Sequence, residues 1–423
     1  MAKLLHNDGA WVNLLTKLGM RGRDKRESME IGSAKYFDDS FLSQLWVANG
    51  LGKKIVKIPV DDMVRNWIHL ENDKDGKVSD EMERISLEQK VWEALVWARL
   101  YRGAILVMGI QDGGELNTPL RMNAIRGIDW VKVYGANRLT TLTTGDIVDD
   151  PASPYFDDIE VFPVTKLNGE TIYVHTTRCL VFKGEPAPMD ATITSDFKIR
   201  YWGMSVIQSI YEQLADLGAV MGGMSNLCQE FGTGKYTLSN LTELLASQDG
   251  MNQIYNRMEI INAAKGTLRA VLLGENERYE QTSPSLAGAP DMIDRFMLML
   301  SAVSEIPATR LYGRSPAGQN ATGESDEQIY YDRIDSMNKT MLRPKLQRAA
   351  DIINVYTTKQ DKDKPRVIMN KSETTSPKED VEMRKTQAET DNIYIMNGTL
   401  TAEEVAENRF QGSYSHDTTI EGV

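Results

Sequence analysis

Residues 311–325 read LYGRSPAGQNATGES. Three glycines recur at intervals of five (Gly313, Gly318, Gly323), and among them stand Arg314, Ser315, Gln319, Asn320 and Thr322. Glycine reaches backbone angles closed to other residues. Hydroxyl and amide side chains exchange hydrogen bonds with phosphate oxygens. Such a stretch can cradle a phosphate, close as a lid, or touch something that slides past it. The apolar run IDRFMLMLSAVSEIP precedes it and DEQIYYDRIDSMNKTMLRPKLQRAADIINVY follows, so a loop between two helices is expected.

Other residues of chemical interest were weighed against enzyme chemistry. FGTGKYT at 231–237 resembles a nucleotide loop only faintly: Gln229 stands where the first glycine of G-x-x-x-x-G-K-[ST] belongs, and Tyr236 follows the lysine. No G-x-G-x-x-G, H-E-x-x-H or G-x-S-x-G motif occurs in a fitting context. The four histidines (His6, His69, His175, His416) are scattered, and His175 alternates with Val174 as a sheet residue would. Cys179 and Cys228 are far apart and read as reduced, buried thiols. Asp149-Asp150 and Asp157-Asp158 fall in turn-like segments, and ENDKDGKVSDE lacks the ligand spacing of a calcium loop. No metal or cofactor is expected, and the chain does not read as an enzyme. A nucleotide-dependent enzyme using the 313–323 glycines is retained as one alternative.

The elements that would position the loop follow from periodicity. Pro59 should hold Ile58 extended, with Asp61 capping a helix that carries Met63, Val64, Trp67 and Ile68. Ser86–Gln89 forms a capping box for a helix along Val91, Leu95 and Ala98. A strand at 104–110 follows. Residues 125–190 alternate as strands, with a hairpin turn at Asn168-Gly169. Val206, Ile210, Leu214, Leu217, Met221 and Met224 mark one helix, which EFGTGKY interrupts; 238–262 reads as another. A hairpin of TLRAVLL and RYEQTS turns at GENE. Pro290 sits near the start of the next helix.

After the loop, Tyr330, Ile334, Met337, Met341, Leu346, Ala349, Ile353 and Tyr356 form one stripe along a helix from about 325 to 356. At 1.5 Å per residue it measures roughly 48 Å, and Pro344 should kink it. RVIMN reads as a strand. Ser376–Glu379 opens a helix that stops at Asn397-Gly398, and Thr401–Glu404 opens a short last one. Such a long helix is expected to pack against copies of itself. Met292, Met297 and Met299 on the helix before the loop would fill either an uneven interface or a core.

The bulk properties set limits. The chain has 423 residues and a net charge of −12, a balance that disfavours tight non-specific binding to nucleic acid. Repulsion between like charges still allows nucleic acid to pass without sticking. The N-terminal residues lack a signal-peptide pattern, and the longest apolar run, AILVMGI, falls far short of a membrane span. A soluble protein or assembly without membrane contact is therefore expected.

The order of segments resembles the portal proteins of tailed bacteriophages, in particular the short type. WGMSVIQSIYEQL (202–214) is similar to the family's G-x-S element that opens a first stem helix, and IPATRLYGRSPAGQNATGE resembles its IP…L.G.SP.G.NATGE signature. The resemblance implies an α+β fold assembled as a ring. Its parts would be an N-terminal arm (1–45), a mixed α/β wing (46–204), a first stem helix (205–231), a small α/β clip (232–288) and a second stem helix (289–307). A tunnel loop (308–324), a long kinked helix with a returning wing strand (325–375) and a helical C-terminal crown (376–423) would follow.

The resemblance also implies a role. Twelve copies would form a ring-shaped channel at one capsid vertex, made in the host bacterial cytoplasm and built into the virion. Double-stranded DNA would be packaged and ejected through it. A large terminase would dock on the clip, with Asn276, Glu277 and Arg278 at the hairpin turn as candidate contacts. The major capsid or scaffold protein and head-completion (adaptor) proteins would be further partners. In the tunnel loop, Arg314, Ser315, Gln319, Asn320 and Thr322 would touch passing DNA while the three glycines supply freedom. A capsid-associated scaffold or adaptor without a DNA conduit is the other alternative.

Overall fold

The computed structural model describes residues 36–405 apart from 74, 140–143, 189–196, 230–233, 238–244, 268–277, 282–287, 314–323, 359–363, 373–376 and 403. Helices α1 (Asp39–Ala48) and α2 (Gly50–Val64) open the chain. Each is capped by the side chain before it: Asp38 accepts the Phe41 N–H and Asn49 accepts the Gly52 N–H. Strand β1 (Ile68–Glu71), α3 (Lys77–Arg84) and α4 (Leu87–Tyr101) follow. The Asp73 carboxylate takes the backbone N–H groups of Val78 and Ser79 at the start of α3.

Next come β2 (Gly103–Ile110), β3 (Ile128–Gly135), β4 (Val161–Thr165), β5 (Thr171–His175), β6 (Cys179–Lys183) and the short α5 (Phe197–Trp202). Strand β2 lies between β3 and β6, antiparallel to both. Its alternate residues serve two cores. Ala104, Leu106, Met108 and Ile110 join the larger core with α4, whereas Ile105 and Val107 join Phe162, Val164, Val174 and Trp202 on the other face. Burial on both faces explains its unbroken apolar run. Gly103 is required there, because a Cβ would lie 2.0 Å from the Trp202 ring. The β4–β5 hairpin forms as expected, with Gly169 at φ +86° in its turn.

The second half contains α6 (Val206–Gln229), β7 (Gly234–Thr237), α7 (Gln248–Thr267), β8 (Arg278–Gln281), α8 (Ala289–Ser304) and α9 (Ala308–Tyr312). It continues with α10 (Glu324–Met337), a π turn (Asn338–Leu342), α11 (Arg343–Thr357), β9 (Arg366–Met369) and α12 (Pro377–Met396). Helices α6 and α8 pack together, and β7 pairs antiparallel with β8. Strand β9 returns to pair antiparallel with β1, so the two ends of the chain share a sheet. The result is the mixed α+β fold expected from the sequence. Thr401 and Glu404 exchange hydrogen bonds as a capping box.

Several expectations are corrected. Pro59 does not hold Ile58 extended ahead of a helix; Ile58, Pro59 and Asp61 all lie inside α2, whose cap is Asn49 rather than Asp61. Proline leaves the carbonyl four residues back without its donor. Here Arg99 of α4 supplies donors, reaching the carbonyls of Val56 and Ile55 at 3.1 and 3.3 Å. Ile68 is in a strand rather than a helix, paired with Met369. Ser86 makes no capping bond: it sits at φ +52°, where the end of α3 turns directly into α4. GTGKY does not merely interrupt a helix, since Gly234–Thr237 is a strand, and its partner is RYEQ. Of TLRAVLL, Thr267 closes α7 and 268–273 lie outside the described residues. Of the helix expected at 238–262, residues 238–244 lie outside the described residues; Leu245 is helical, a turn follows at Ala246 and Ser247, and α7 runs on from Gln248.

The apolar stripes also differ in detail. Val206, Ile210, Leu214 and Leu217 are buried, but Met221 is exposed. Met341 is exposed and Leu342 is buried in its place. The buried row Tyr330, Ile334, Asn338, Leu342, Leu346 advances by four at each step. On a pure α-helix each such step overruns a full turn by about 40°. The wider π turn takes up the excess and keeps the row on one side.

Two buried polar arrangements give tests. Arg99→Met should orphan the Ile55 carbonyl, which Pro59 leaves without a helical donor, and lower stability by about 1–3 kcal/mol in urea denaturation. Asp112 and Arg178 form a fully buried pair, with Nη2–Oδ2 at 2.7 Å. Burial pushes the Asp112 carboxyl up, but Arg178 and the N–H groups of Arg121 and Gly114 outweigh it and hold it at about 2. Because the folded value lies below the ordinary 3.8, this stabilisation is present above that pH and is lost as pH falls towards about 2. It amounts to about 2–3 kcal/mol. Asp112→Asn should therefore flatten the dependence of stability on pH between those limits.

Candidate functional site

The glycine loop is bounded by two helices whose ends are described. Helix α9 brings the chain to Tyr312, and Gly313 stops it at φ +72° with its N–H bonded to the Thr309 carbonyl. This left-handed end is one that glycine adopts without strain. Helix α10 takes the chain away from Glu324. Arg314, Ser315, Gly318, Gln319, Asn320, Thr322 and Gly323 lie outside the described residues, as do Asn276 and Glu277. Arg278 is exposed at the start of β8, opposite Thr237. Pro344 is in the first turn of α11, directly after the π turn, where it has no backbone N–H to donate.

Polar contacts tie the two helices to each other and to α2. Thr309 Oγ1 donates to Glu327 Oε1 at 2.7 Å, directly between α9 and α10. Asp62 of α2 is 1% exposed, and both of its carboxylate oxygens are used. Arg310 Nη2 donates to Oδ1 at 2.5 Å, and the Tyr330 hydroxyl donates to Oδ2 at 2.8 Å. Arg65 lies 3.8 Å from Oδ1. Lys54 of α2 donates to the Leu311 carbonyl at 3.3 Å, and the Tyr312 hydroxyl donates to the Met297 carbonyl of α8. Arg333 of α10 pairs with Glu305, which stands between α8 and α9.

The electrostatics follow from burial and these partners. Burial, aided by the Asp62 charge, raises the Tyr330 hydroxyl well above its ordinary value. Burial alone pushes Tyr312 up to about 12. Burial opposes the charged form of Arg310, but Asp62 outweighs it and the net shift is upward. A cavity of about 20 Å³ beside this cluster is lined by Pro59, Arg99, Glu185, Ser304, Tyr330 and Arg333 among others. Burial raises the Glu185 carboxyl. These are groups that hold positions; none presents a nucleophile beside a base.

The residues weighed for enzyme chemistry fit that picture. His175 is buried in β5, with Nδ1 2.8 Å from Thr177 Oγ1 and Nε2 3.3 Å from Glu160. Burial pushes the Cys179 thiol up to about 12, which makes it a poor nucleophile. Among the described residues, no group of three or more His, Cys, Asp or Glu could hold a metal ion, and no helix is long and apolar enough to cross a membrane. Asp62, Arg310 and Tyr330 were not singled out from the sequence. One signal was available: Asp62 occupies the position an apolar stripe through Ile55 and Pro59 would fill.

Comparison with known proteins agrees with the signature. Residues 41–393 match the phage portal protein family. A protein of Caulobacter sp. (strain RHG1), called anti-CBASS protein Acb1, is 28% identical over 316 residues, covering 72% of this chain and 50% of its own length. A protein of Sphingomonas paeninsulae with the same name is 30% identical over 309 residues, covering 70% and 48%. An uncharacterized protein of Haemophilus influenzae is 26% identical over 318 residues, covering 72% and 68%. The chain thus spans about half the length of the first two relatives.

Among solved structures, a chain in the neck of an empty gene transfer agent (GTA) particle aligns with a TM-score of 0.52 at 13% identity, over 90% of this chain and 96% of that one. A chain from the virion of a native GTA particle aligns at 0.50 and 13%, over 89% and 94%. At such identities the likeness concerns fold alone. With the family match extending from α1 into α12 and across the glycine loop, this chain belongs to the phage portal protein family.

Proposed function

We propose that copies of this chain, twelve by analogy with the family, form a ring-shaped channel at one capsid vertex of a virion. Double-stranded DNA would be packaged and ejected through it. The observation that carries this reading is the family match over 41–393. The surface of the single chain supports assembly. Tyr255 and Ile260 on α7, Met292 and Met299 on α8, and Val381, Ile393, Tyr394 and Met396 on α12 are all exposed. Apolar side chains grouped in this way mark interaction surfaces.

In this reading the 314–323 loop touches the DNA. Arg314 gives one cation per subunit, and Ser315, Gln319, Asn320 and Thr322 exchange weak bonds with phosphates. A thin ring of charge favours sliding over holding. The clip, with Arg278 at the foot of β8, docks a separate terminase that supplies the chemical energy; head-completion proteins bind later. The chain carries no catalysis of its own. The anti-CBASS name belongs to relatives about twice the aligned length.

Native mass spectrometry is expected to give a closed ring, and a stable monomer at high concentration would refute the assembly. Deleting 315–322 should leave rings intact while packaging or retention of DNA falls at least tenfold. Normal packaging in that deletion would remove the tunnel-loop role and favour a scaffold or adaptor. This chain alone should show no anti-CBASS activity.

A further inference from the structure

We infer that Asp62 is the positioning residue for the glycine loop, holding both of its feet through one buried carboxylate. The inference rests on the conduit reading above and deepens it. One oxygen of Asp62 takes Arg310, three residues before Gly313 on the incoming helix. The other takes Tyr330, six residues into the outgoing helix. The carboxylate itself stands on neither foot but on α2, which packs against α4 and α6.

This arrangement has a mechanical meaning. Thr309 and Glu327 join the feet to each other, so α9 and α10 are held at a set spacing. Asp62 joins that pair to the body of the protein. A loop pushed by a passing polymer can move its feet in only two ways. It can carry α2 along, or it can separate a buried carboxylate from its donors. Separation leaves a buried charge without compensation, which is costly. The feet therefore stay put under small loads. Larger loads pass into α2, whose Ile55 and Val56 carbonyls are tied to Arg99 of α4.

A purely structural role for Asp62 would predict something different. The residue would then stabilise α2, and its loss would be felt along 50–64. The clasp predicts a pattern confined to the feet and divided by partner. Arg310→Met should loosen the incoming foot, Tyr330→Phe the outgoing foot, and Asp62→Asn both.

The test uses assembled rings of the full chain and amide hydrogen exchange read by mass spectrometry. Arg310→Met should speed exchange about tenfold in 308–313 with little change in 324–330. Tyr330→Phe should do the converse, and Asp62→Asn should speed both. Arg310→Lys, which keeps the charge, should restore much of the protection. If Asp62→Asn does not fold, the Arg310 and Tyr330 variants still decide. Faster exchange in 50–64 with both feet unchanged would overturn the clasp, as would a uniform rise along the whole chain. Rings with both feet loosened should also package DNA more slowly, and unchanged packaging would overturn the role. Normal packaging in the 315–322 deletion would instead strike the conduit reading while leaving the exchange pattern standing.

Discussion

A carboxyl group buried on an otherwise apolar helix face must find donors, and few are near Asp62 in sequence. Its principal partners are 248 and 268 residues further along the chain. Satisfying one side chain therefore fixes where the late helices α9 and α10 meet the early helix α2. Three residues before Asp62, Pro59 leaves a carbonyl without its normal donor, and Arg99 answers it from α4. Both demands arise on one helix, and meeting them draws α4, α9 and α10 around it. The β1–β9 pairing is a second and separate join between the two ends of the chain.

Local pattern made much of this fold legible. The helical stripes of α4, α6 and α11 and the Asn168-Gly169 hairpin follow from spacing alone. Failures occurred where the deciding partner was distant. Pro59 reads as a break because nothing near it reveals Arg99. Ile68 reads as helix because its strand partner, Met369, lies about 300 residues away. Ser86 has the right neighbours for a capping box, but the preceding helix ends too close for its backbone to take a capping conformation.

The site was legible in outline only. Glycines and small polar residues between two apolar runs marked the loop, and the family signature covered it. What holds the loop in place was harder to see. Asp62 is a charge on an apolar stripe, yet nothing in the spacing pairs it with Arg310 or Tyr330. Long-range polar pairing leaves no periodic trace. The long helix after the loop gave a finer lesson: its expected stripe steps by five from Met341 to Leu346, and the buried row passes through Leu342 instead, at the π turn.

That π turn has a consequence for tolerance to length change. Asn338–Leu342 stores, in effect, one surplus residue within a rod that otherwise winds evenly. Excising a single residue there would let the winding revert to regular α-helix while the segments on either side keep their places. Leu346 and Ile353 would still face the core they now fill, and β9 would still meet β1. The same excision from the regular part of α11 would swing everything beyond it by about 100° around the rod. The π turn is thus where the rod can lose a residue and keep its far end in phase with its beginning.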